Sequence, residues 1–181
     1  MKEVSAGLIL ISCSGLLILL GLFRKKNNFI DLRSVCINHF KIFKNARMQY
    51  FTFYVLPLFM AIGISCIYTA DITMYQNIVV AISIFVSMLL AMLSILASKD
   101  ISKYSDAHQE KIKNVLRETN NTIVFCTFVS IVIIVVSLIM IAISSTEMQM
   151  LKKIVASGVY YLIQVLLLNI LLVVKRMGKL I

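Results

Sequence analysis

The chain has 181 residues, of which 60% are hydrophobic and only 14% charged, with a formal net charge of +10. A soluble domain carries about 25% charged residues, and the mean hydropathy here is +0.95. These values exclude an ordinary soluble enzyme domain and place the chain in a lipid bilayer.

Five apolar stretches follow one another, at about 6–23, 51–70, 78–97, 122–144 and 154–174. The hydrocarbon core of a bilayer is about 30 Å thick and needs roughly 20 apolar residues to cross as a helix. The expected fold class is all-α: a polytopic transmembrane helical bundle of about five spans, forming a single membrane domain over 1–181. Segments 24–50 and 99–121 are too short to close a core of their own. They are read as cytoplasmic appendages, a basic amphipathic interfacial helix and a helical stalk.

Orientation follows from Lys and Arg. All but three of the 18 basic residues lie in 24–50, 99–121 or the carboxyl-terminal tail, and the exceptions are Lys2, Lys152 and Lys153. Cytoplasmic loops carry the excess of positive charge. Five spans then give an amino terminus outside, a carboxyl terminus inside, and a multi-pass protein of a bacterial inner membrane. The short connectors 71–77 and 145–153 become external turns, so spans two and three form one tight hairpin and spans four and five another. The first stretch is expected to remain as an anchor. Its positive cluster Arg24-Lys25-Lys26 follows the apolar run, and no small-residue cleavage pattern closes it.

The first span carries Gly7, Ser12, Ser14, Gly15 and Gly21, small residues that let helices approach closely in lipid. The segment 29–47 reads as an amphipathic helix. Phe29, Leu32, Cys36, Phe40 and Phe43 fall on one face. Arg24, Lys25, Lys26, Arg33, Lys41, Lys44 and Arg47 supply seven positive charges against the single negative charge of Asp31. Basic residues at an anionic lipid surface contribute about 1 kcal/mol each, so lipid alone accounts for the segment. The same charges suit an acidic ligand, whether a nucleotide, an oligonucleotide or an acidic cytoplasmic partner.

The second span contains the chain's only proline, Pro57. Proline removes a backbone donor and crowds the carbonyl four residues back, here Phe53, so a kink and a candidate hinge are expected. In the third span Ser83, Ser87, Ala91, Ser94 and Ser98 step by four, four, three and four, which puts them on one helix face. Such a stripe either packs helices, with hydroxyls bonded to carbonyls four residues back, or lines a water-filled pore. Between 99 and 121 basic and acidic residues nearly balance. Ser105 and Asp106 open a helix that meets no Gly or Pro through Ser144. It amounts to a rod of about 60 Å at 1.5 Å per residue, half of it projecting from the membrane.

In the fourth span Ser130, Ser137 and Ser144 recur every seven residues, with Cys126 a turn before Ser130, a spacing for left-handed helix packing. The fifth holds Gln164 and Asn169, whose amides need protein or water partners. They are candidates for helix packing or pore lining, together with Ser83, Ser87, Ser94 and Ser98. None of the spans contains an ionisable residue of the Asp, Glu, Lys, Arg or His type. Proton-coupled transporters and voltage sensors need such groups at membrane depth, so those classes are disfavoured.

The motifs of hydrolases, metalloproteases and phosphate-binding loops are all missing. His39 and His108 stand without a nucleophile, and Cys36-x-x-His39 supplies too few ligands for zinc. The sequence points away from an enzyme and calls for neither a cofactor nor a metal. What remains is an oligomeric membrane effector. It would be a channel or membrane-perturbing protein gated from the cytoplasm by an anionic ligand or a soluble partner, and a homo-oligomer because so few spans enclose no pore alone. The alternative is a non-conducting anchor or sensor that recruits a soluble partner. In its short spans, its minimal external turns and its basic segment from Arg24-Lys25-Lys26 through Arg47, the chain resembles the small membrane components of bacterial anti-phage defence systems. Resemblance to the Hailong-type effector implies an oligomeric channel held closed by a DNA oligomer. Resemblance to the Kiwa-type membrane subunit implies a sensor.

Overall fold

The structure is a computed structural model, and it describes residue 14 and residues 32–41, 47–68, 70–98, 106–143 and 149–178. The described residues are helical, with no strand among them. The chain divides into two compact units, Met1–Lys41 and Ile42–Ile181. In the first, helix α1 spans Leu32–Lys41. It falls within the amphipathic helix expected over 29–47, whose flanking Phe29 and Phe43 lie outside the described residues. Its fully buried side chain is His39, whereas Phe40 of the expected apolar stripe is exposed. The two rings meet edge to face at 5.9 Å.

The second unit holds four helices long and apolar enough to cross a membrane. The first expected span, 6–23, lies outside the described residues. Helix α2 (Arg47–Tyr50) runs through a π-helical turn at Phe51–Val55 into α3 (Leu56–Ile67). Pro57 explains the turn. Without its N–H, the Phe53 carbonyl has no donor four residues on, and the ladder widens. The Leu56 N–H bonds to the Phe51 carbonyl, five residues back. The distortion expected at Pro57 thus takes the form of an extra residue in the turn ahead of it.

Helix α4 (Ile72–Ala97) starts on an N-cap, with Asp71 Oδ1 accepting from the Met74 N–H at 2.8 Å. Its buried residues are Tyr75, Ile82, Leu89 and Leu96. Seven-residue steps make them one seam. Helix α5 (Asp106–Ala142) is 37 residues long, about 55 Å at 1.5 Å per residue. Helix α6 (Gln149–Met177) has 29.

These helices form a row. Helix α3 packs on α6, α6 on α5, and α5 on α4. Sequence neighbours α5 and α6 do form the expected pair. Helices α3 and α4 do not, despite the short connection between them. Each instead packs on one of the central helices. At the end where α3 meets α4, Ala61 touches Ala156 and Tyr160, with Met74 packed alongside. The small Ala61 and Ala156 side chains let α3 approach α6 closely there.

In the rod-like α5, Thr119 and Thr122 are fully buried, so packing against its neighbours reaches at least to Thr119. Arg176, in the last turn of α6, closes this end. It donates to Thr122 Oγ1 at 3.1 Å and pairs with Glu118 at 3.3 Å.

Candidate functional site

Three groups of residues carry the polar chemistry of the chain. The first is the serine stripe. Ser83, Ser87, Ala91, Ser94 and Ser98 all lie on the exposed face of α4, opposite its buried seam. Their hydroxyls are satisfied within the helix. Ser83 donates to the Val79 carbonyl at 2.7 Å, Ser87 to Ser83 at 3.1 Å, and Ser94 to Leu90 at 3.1 Å. Ser98 donates to the Ile95 carbonyl at 2.9 Å. The stripe is one surface, 26 residues of helix long at most, and faces whatever surrounds the protein.

The second group lies inside. Tyr54 is the buried residue of the π-helical turn, and its side chain lies near Asn169 of α6. Asn169 is fully buried, and its Nδ2 donates to the Val165 carbonyl at 2.8 Å. Cys126 of α5 is fully buried beside this pair. Thus the widened turn ahead of Pro57 delivers a tyrosine to the polar centre of the helix row. Pro57 itself is buried. Gln164 is half-buried, and its Oε1 has no protein partner among the described residues. Asn169 thus lies inside the helix packing of the described residues. Ser130 and Ser137 are fully buried on α5, as their seven-residue spacing requires, and Ser144 lies outside the described residues.

The third group is the basic segment. Arg24, Lys25, Lys26 and Lys44 lie outside the described residues. Arg33 falls within α1, Arg47 opens α2, and Lys41 ends α1 as an exposed side chain. Arg33 and Lys41 belong to the first unit and Arg47 to the second.

Sequence reasoning overlooked the tyrosines. Tyr54 sits in an unremarkable aromatic run, and only the missing donor of Pro57, three residues on, signals that its direction will change. It also overlooked Asp71, although an acid just before a long apolar helix is an N-cap signal. Comparison with protein-family models, with curated proteins and with solved structures finds no match to this chain.

Proposed function

We propose that the protein is an oligomeric membrane effector, a channel whose wall is the serine face of α4 and whose gate is worked from the side bearing the basic residues. The observation that carries this reading is the outward placement of Ser83, Ser87, Ser94 and Ser98. Lipid gives helices no hydrophobic reason to associate, so small and hydroxyl-bearing faces drive contacts between them. The row of helices leaves this face to a second copy or to water. A row also encloses no lumen, so conduction requires a ring of copies. Hydroxyls already bonded to their own helix still offer lone pairs to water, which suits a pore wall without fixed charge.

In this reading the basic residues from Arg24 to Arg47 hold an anionic ligand, a nucleotide or oligonucleotide, or an acidic partner protein. The orientation is amino terminus out and carboxyl terminus in, in a bacterial inner membrane. The architecture suits the membrane arm of an anti-phage system.

Ion flux from liposomes tests the proposal. Ser87→Leu and Ser94→Leu, each unchanged in fold by circular dichroism, are expected to abolish flux and shift the assembly state. Wild-type protein that assembles yet passes no ion, with or without an oligonucleotide, would replace the channel by a non-conducting anchor or sensor.

A further inference from the structure

At the end where α3 turns into α4, a cleft of about 360 Å³ opens between the starts of α4 and α6 and the end of α5. Asp71, Thr73 and Tyr75 line one side, and Met140 and Lys152 line the other. Ligand-binding clefts span about 300–1,000 Å³, so this one accepts a small polar group and not merely an ion. Its charges are of both signs. One Asp71 oxygen is fixed by its bond to the Met74 N–H, which holds the carboxylate at the mouth. Lys152 stands on the first turn of α6.

One turn deeper on α4, Tyr75 is 4% exposed. Its hydroxyl is buried without a protein partner among the described residues. A buried hydroxyl is costly to leave unpaired, which makes it a donor looking for an acceptor in the cleft. Tyr160 donates to Met74 Sδ at 3.0 Å and lies within electrostatic reach of Asp71 and Tyr68, and also of Tyr75. Tyr75 thus shares the cleft lining with the carboxylate, and tyrosine rings attract ammonium groups. The height of the cleft matters too. The apolar helices end here, at Ile72 and Ala142, which is headgroup level for a bilayer spanned by them.

We infer that this cleft binds the headgroup of a zwitterionic aminophospholipid. Asp71 takes the ammonium, Lys152 the phosphate, and the Tyr75 hydroxyl donates to an ester oxygen below the phosphate. The acyl chains leave along the apolar helix surfaces. An inorganic anion is repelled by Asp71, and a lone cation by Lys152. A second cleft on the other flank of α6 supplies the control. Ser65, Cys66, Lys153 and Ser157 line it, with no carboxylate among the described lining, so it has no means to prefer an ammonium.

Native mass spectrometry of the full chain in detergent tests the assignment, with short-chain phosphatidylethanolamine and phosphatidylglycerol as probes. Wild-type protein is expected to retain phosphatidylethanolamine about tenfold better, the worth of one charge-assisted hydrogen bond. Asp71→Asn keeps an N-cap, since asparagine caps as well as aspartate, yet should bring that preference down to about unity. Lys152→Gln should weaken retention of both lipids, and Lys153→Gln should leave the preference unchanged. An unchanged preference in Asp71→Asn, with a wild-type circular dichroism spectrum, overturns the inference. So does displacement of the lipid by soluble phosphoethanolamine, which would assign the same chemistry to a free metabolite.

Discussion

The two central helices and the two flanking ones solve different problems. In α5, 44% of the apolar span is buried, against 17% in α4 and in the stretch running through α3. Helix α5 buries Ile123, Cys126, Ser130, Ile133 and Ser137 almost completely. Helix α4 shows only one seam and leaves Val80, Ile84, Met88 and Ile95 exposed together with its serines. The apolar helices therefore cannot be ranked by hydropathy into core and surface, because each is apolar enough to span. Small and polar residues make the distinction. Where they are buried, as at Ser130 and Asn169, they lie inside the helix packing. Where they are exposed, as at Ser87, they face the surroundings of the protein.

The strongest way to break this comparison is to hollow the centre. Ile133→Ala is expected to cost about 2–5 kcal/mol, the range for deleting a fully packed aliphatic side chain, read as a loss of thermal stability in detergent by circular dichroism. Ile84→Ala on the exposed face of α4 should cost well under 1 kcal/mol. Equal losses would mean that α4 is as enclosed as α5, and the row would be wrong. Next comes the polar centre. Asn169→Leu takes a fully buried amide from beside the Tyr54 side chain and is expected to cost about 1–3 kcal/mol. Tyr54→Phe in the same background should recover part of that loss. Failure of that rescue would show that Tyr54 and Asn169 do not act as a pair.

Much of this was written in the residues. Span length and lack of charge predicted α3 to α6, and seven-residue spacing predicted the burial of Ser130 and Ser137. The serine period correctly put Ser83 to Ser98 on one face. Periodicity cannot say which way a face points, because lipid and protein are equally apolar neighbours; only the packing of α5 against the opposite side, through Ile82 and Leu89, resolved it. The hairpin of α3 with α4 was misjudged for a related reason. A short connector brings two helix ends together, but whether the helices then pack depends on surfaces elsewhere, here Ala61 meeting Ala156 on α6. Tyr54 needed a backbone event, the π-helical turn, which no side-chain pattern announces.

The smallest expected effect comes from the clasp between α5 and α6. Arg176 is 13% exposed at its side chain and Glu118 is 46% exposed, so water screens the pair, and exposed ion pairs are worth about 0–1 kcal/mol. Glu118→Gln leaves Arg176 its bond to Thr122, and Arg176→Gln leaves Thr122 its own bond to the Glu118 carbonyl at 2.8 Å. Neither change strands a buried group, so each should cost under about 1 kcal/mol, and the double variant should cost little more than either alone. Hydrogen exchange should quicken only in the last turn of α6. A loss of several kcal/mol, or exchange spreading to Val159 and Leu166, would mean that the central pair is held at its end and not along its seam. The buried serines and Asn169 would then have to be reassigned from packing to function.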